Sequence, residues 1–104
     1  MDKRELLERV KQQLAAAFGR RLKGVILYGS EARGDAAPES DIDFLVLLDG
    51  PIRLWADTRL IVTALYPLQL ELLRPIHAIP VNARKYKTRR LPLYCDAQDE
   101  GIAA

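Results

Sequence analysis

Two apolar runs on either side of a polar, glycine-bearing loop constrain this chain more than any other feature. Gly24 to Tyr28 reads GVILY and Asp41 to Leu48 reads DIDFLVLL, while Gly29 to Ser40 (GSEARGDAAPES) holds two Gly, one Pro, two Ser and four charged residues. Aliphatic and β-branched runs without polar alternation are strands covered on both faces. Such strands need a layer of helices on each side, so the pair already implies an α/β arrangement. The chain is 104 residues long and 49% hydrophobic, enough for one core and too little for two, so residues 1–104 are expected to form a single domain.

The flanking segments supply the helices. Asp2 and Glu5 have the spacing of a capping box, and Leu6, Leu7, Val10, Leu14, Ala17 and Phe18 then recur on one stripe. Gly19 is the expected stop. Asp49-Gly50-Pro51 closes the second strand, and Leu54, Trp55, Thr58, Ile61, Val62 and Leu65 follow at helical spacing to about Tyr66, where Pro67 is expected to kink or end the helix. Trp55 lies on that stripe, which assigns it to the core or to a contact with a second copy rather than to a nucleobase platform. Leu68 to Leu73 is read as further helix. Ile76 to Val81 is a third strand, with Pro80 marking a sheet edge or the strand's end. Asn82 caps a short helix through Arg90, and Pro92 to Glu100 forms a last helix stopped by Gly101. The order α-β-β-α-β-α predicts a small mixed sheet with flanking helices.

Bulk properties exclude more than they assign. Sixteen Lys and Arg against fourteen Asp and Glu leave a net charge of +2, short of the basic excess of a dedicated nucleic-acid binder. No apolar run reaches membrane-spanning length, and the N-terminus lacks the apolar core of a secretory signal, so a cytoplasmic protein without membrane attachment is expected. One cysteine, Cys95, forms no internal disulfide or CxxC pair. Arg84, Lys85, Lys87, Arg89 and Arg90 form a basic cluster around Tyr86. Such a run is ordinarily a solvated face, and its alternative use is contact with RNA or an acidic partner, with Tyr86 stacking on a base.

The chemistry concentrates at the loop between the two strands. Residues two apart on a strand share a face, which sets Asp41 and Asp43 about 6.5–7 Å apart on one side with Ile42 turned into the core. Two carboxylates so placed suit a hard divalent cation. Gly29 lets the backbone turn sharply after the buried strand, and Ser30 offers a hydroxyl and an amide to an anion. Arg33, near one turn beyond Ser30, can reach the same anion.

Gly29-Ser30-Glu31-Ala32-Arg33-Gly34 followed by Ser40-Asp41-Ile42-Asp43 resembles the nucleotidyltransferase superfamily related to DNA polymerase beta, and within it the minimal nucleotidyltransferase domains. The resemblance implies a palm-like fold and an Mg²⁺-dependent transfer of a nucleotide, with Asp41 and Asp43 as catalytic metal ligands for one or two ions. It also implies that Gly29, Ser30, Arg33 and Ser40 bind the triphosphate of ATP. Members carry a third carboxylate on a later strand. Here that strand is Ile76 to Val81, which has no acid; His77 is its one ionisable group and the candidate base, and Glu71 would serve only if Leu68 to Leu73 were strand. The small relatives further imply the antitoxin half of a toxin-antitoxin pair with a helical HEPN-type ribonuclease, AMP passing to a hydroxyl of that partner. A homo-oligomer is a second way to complete the site. The alternative is a degenerate nucleotidyltransferase fold that neutralises its partner by contact.

Overall fold

The computed structural model describes residues 2–104. Asp2 caps helix α1 (Lys3–Phe18), its carboxylate accepting from the Glu5 amide at 2.8 Å. Gly19, at φ 58°, ends the helix, and a single 3₁₀ turn leads into strand β1 (Leu22–Tyr28). A short helix α2 (Gly29–Arg33) follows at once, then strand β2 (Ile42–Leu48). Helix α3 (Leu54–Leu72), strand β3 (Ile76–Asn82), helices α4 (Ala83–Lys87) and α5 (Pro92–Glu100), and a two-residue strand β4 (Ile102–Ala103) complete the chain.

The sheet runs β3-β2-β1-β4, with β2 and β3 parallel and the other pairs antiparallel. It is therefore mixed, and the expected class holds. Alternation along β2 divides the interior. Ile42, Phe44, Val46 and Leu48 pack on one face with Leu6, Val10 and Leu14 of α1 and Ile61 and Leu65 of α3. Leu45 and Leu47 pack on the other with Ile26, Val81, Tyr86 and Ala97. Both central strands are thus covered on both sides, as their unbroken apolar runs require. Pro80 lies on edge strand β3, where a missing N–H can face away from the ladder.

Several expectations are corrected. β2 begins at Ile42, so Asp41 lies just ahead of the strand and is exposed. Of the two outcomes expected at Pro67, ending the helix is excluded, since α3 runs on to Leu72 as the helical reading of Leu68 to Leu73 required; Pro67 sits on an exposed face, where the carbonyl it leaves without an amide partner can meet water. Trp55 is 83% exposed and not in the core, because α3 buries a different stripe, Asp57, Ile61, Leu65 and Leu68. Tyr86 is buried and packs edge-on against Tyr94, so it is not free to stack on a base. The helix that Asn82 caps ends at Lys87 rather than Arg90, Arg89 taking a φ of 56° outside it, and Arg89 is occupied by Gln98 and Asp99. Among the described residues no helix is long and apolar enough to cross a membrane.

Candidate active site

The register of the three long strands assembles one row of side chains at the edge of the second core. Tyr28 of β1 is paired with Asp43 of β2, and Asp43 with His77 of β3. By alternation all three stand on the face of Ile26, Leu45 and Val81. The His77 Nδ1 lies 3.4 Å from Asp43 Oδ1. Tyr28 is half-buried; that burial and the neighbouring Asp43 charge both hold its hydroxyl pKa above the ordinary value.

Gly29 turns the chain over this row. Its φ of +73° falls in the left-handed region, and a Cβ there would lie 2.9 Å from Asp43 Oδ2. A side chain at this position would displace the carboxylate; glycine lets the β1–α2 turn rest on it. The Gly29-Ser30 backbone and the Asp43 carboxylate, separate in the sequence, are thereby one site. Beside it Tyr28, Gly29, Arg33, Leu93, Asp96 and Glu100 line a cleft of about 220 Å³.

The remaining sequence candidates divide. Arg33 does not point freely at an anion, since its guanidinium bonds Asp35 at 3.3 Å and Glu100 at 3.2 Å, tying α2 to α5. Those carboxylates hold its pKa above the ordinary value, the Glu100 hydrogen bond being the largest single cause. Ser40 uses its hydroxyl within the loop, accepting from the Ala37 amide at 3.1 Å. Glu71 is excluded as the third acid. It sits on α3 and forms a two-pronged pair with Arg9 of α1 at 2.9 and 2.6 Å.

Arg74 is a site residue that the sequence did not suggest. Its Nη2 donates to Glu31 of α2 at 2.9 Å, and its Nε donates to the Ser40 carbonyl at 3.0 Å. Both side chains of the ion pair are about one-fifth exposed. One guanidinium therefore clamps the residue after Ser30 to the residue before Asp41. No local pattern could announce it, because the partners lie 43 and 34 positions away. Next to it the Pro75 carbonyl accepts from the Ile42 amide at 2.9 Å and sets the start of β2.

The profile of the nucleotidyltransferase domain family matches residues 3–95. The chain belongs to this family. A Methanocaldococcus jannaschii protein, "Putative protein adenylyltransferase MJ0604", is 39% identical over 49 residues, which are 47% of this chain and 49% of that protein. The match thus spans about half the length of the curated relative. Among solved structures, a toxin-antitoxin with AMP-PNP aligns with a TM-score of 0.66 at 18% identity, over 92% of this chain and 69% of that one. A mutant of the toxin-antitoxin MntA-HpeT aligns with a TM-score of 0.60 at 16% identity, over 100% and 72%. At these identities the shared property is the fold. This nucleotidyltransferase domain carries the Gly-Ser turn and the Asp-x-Asp pair, and has His77 in register beside Asp43.

The donor set can be tested against Mg²⁺. Among the described residues no three His, Cys, Asp or Glu side chains gather closely enough to hold a cation by themselves. Asp43, with a side chain 27% exposed, and the exposed Asp41 offer carboxylate oxygens only. Two carboxylates completed by phosphate oxygens and water are the usual surroundings of Mg²⁺, so the residues fit an ion that arrives with a nucleotide.

Proposed function

We propose that this domain is an Mg²⁺-dependent nucleotidyltransferase that moves AMP from ATP to a hydroxyl of a partner protein. The partner in this reading is a helical HEPN-type ribonuclease, and the domain is the antitoxin of the pair. The observation that carries the reading is the seating of the Gly29 turn on the Asp43 carboxylate. Asp41 and Asp43 would hold the ion, which supplies neutralisation of the triphosphate and the departing pyrophosphate. The Gly29-Ser30 amides and the Ser30 hydroxyl would orient the phosphates, while Arg33 and Ser40 hold the loop that carries them. The acceptor oxygen forms a bond to the α-phosphorus, the bond to pyrophosphate breaks, and His77 takes the hydroxyl proton. The toxin-antitoxin descriptions of the two solved relatives and the adenylyltransferase name of the third support the partner and the nucleotide.

One observation favours a second reading. The register sets His77 beside Asp43 on the strand for which the family resemblance implies a third acid, and imidazole is a poor ligand for Mg²⁺. A domain that keeps the fold and neutralises its partner by contact would show this pattern. Incubation with α-labelled ATP, Mg²⁺ and the helical protein encoded by the neighbouring gene separates the two. The enzyme labels the partner, and Asp43→Asn abolishes the label. Neutralisation of the ribonuclease that persists unlabelled and survives Asp43→Asn selects the contact mechanism instead.

A further inference from the structure

Helix α3 and its cap residue Leu73 carry an apolar stripe that the fold leaves uncovered. Trp55 is 83% exposed, Val62 59%, Tyr66 54%, Leu70 54% and Leu73 86%. On one flank of the helix Glu71 reaches Arg9 of α1, and on the other Gln69 accepts from the Ile76 amide of edge strand β3. Gln69 borders the stripe on the side of the open sheet edge. A groove between them is lined by Val62, Leu65, Tyr66, Ile76 and Ala78.

We propose that this stripe is the interface of a two-fold homodimer in which α3 packs antiparallel against α3 of a second copy. The spacing is the first reason. Trp55, Arg59, Val62, Tyr66 and Gln69 of α3 and its cap residue Leu73 follow one another at steps of four, three, four, three and four, the step pattern of a coiled-coil seam. It reads the same in both directions. An antiparallel pair therefore sets Trp55 opposite Leu73, Arg59 opposite Gln69, and Val62 opposite Tyr66, and each contact occurs twice, as a two-fold interface requires.

Charge selects the orientation. Arg59 is the stripe's one charged residue. A parallel pair would set it against its own copy, whereas the antiparallel pair separates the two guanidinium groups by about ten residues, or about 15 Å of helix, each meeting a neutral Gln69 amide. Area is the third reason. The exposed parts of Trp55, Val62, Tyr66, Leu70 and Leu73 amount to roughly 700 Å², above the largest patch of most monomers and close to the roughly 800 Å² per partner of a standard interface.

Sedimentation equilibrium of the full chain at about 100 μM, without nucleotide or partner protein, tests the proposal. A dimer is expected, weakened at least about 100-fold by Tyr66→Glu. Since Tyr66 is outside both cores, the far-UV spectrum of that variant should be unchanged. In a Cys95→Ser background, mixed Trp55→Cys and Leu73→Cys chains should form a disulfide faster than either chain alone. A monomer at this concentration overturns the proposal, as does a dimer indifferent to Tyr66→Glu. Faster self-linking of Trp55→Cys overturns the antiparallel arrangement. A chain that is monomeric alone but loses a heterologous partner through Tyr66→Glu assigns the stripe to that partner and also overturns it.

Discussion

Single residues of the candidate site are put forward by the sequence where the chemistry is local. Gly29, Ser30, Asp41 and Asp43 stand out by type and spacing, as a turn after a buried strand and acids at the head of the next one, and the structure seats the Gly29 turn on Asp43. Arg74 and the buried Asp57 were not legible, since each acquires its role from a partner remote in the chain. Asp57 is 1% exposed and is held by Arg21 at 2.8 and 3.2 Å and by the Arg53 amide at 2.9 Å. The Arg21 hydrogen bonds, more than any other influence, keep its pKa below the ordinary carboxylate value. The sign of the linkage follows. The stabilisation is complete above the unfolded value of about 3.9 and disappears as pH falls through the lower folded value. Arg21→Met leaves a buried carboxylate without its cation and should cost about 3 kcal/mol at pH 7 in urea unfolding. Its folded pKa should then rise, so acidification between pH 7 and 4 should narrow the gap from the wild-type protein.

At the scale of elements, caps were the most readable signals. Asp2, Gly19, Asn82 and Gly101 each lie at a boundary that the structure confirms, because a helix end must satisfy its own free amides or carbonyls within a few residues. β4 was missed: two residues carry no pattern, and it exists because β1 has a free edge and α5 delivers the chain to it. Gly101 makes the approach, as a Cβ there would run into the Ala97 carbonyl and the Ile26 side chain. Pro67 does not end α3, since the apolar packing of Leu65 and Leu68 on either side holds the helix through it. The positioning of α2 against the head of β2 depends on Arg74. Arg74→Met should leave the cores intact and shift the unfolding midpoint little. It should lower the kcat of nucleotidyl transfer at least about 10-fold, with Arg74→Lys restoring part of it through the Glu31 contact; steady-state kinetics of the three proteins, compared with their thermal midpoints, check this.

For the whole molecule, the consequence of the architecture is that one end of the sheet gathers Tyr28, Gly29, Asp43 and His77 while helices fill both faces. A ligand seated there binds the folded chain alone. Mg²⁺·ATP at 100 times its dissociation constant should therefore add about 2.7 kcal/mol of stability, read as a rise in thermal midpoint that Asp43→Asn removes. Absence of a rise with any nucleoside triphosphate and Mg²⁺ would sink the phosphate site. The sequence by itself determined the α/β class, the two doubly covered strands and the Gly-Ser turn followed by Asp-x-Asp, because hydrophobic period, capping and turn chemistry act over a few residues. Only the tertiary structure decided that His77 stands beside Asp43, that Arg33 is spent on Glu100, that Arg74 ties the loop together and that the apolar face of α3 is bare. Those outcomes depend on strand register and on which helix face reaches the sheet, and both are settled by packing between segments far apart in the chain.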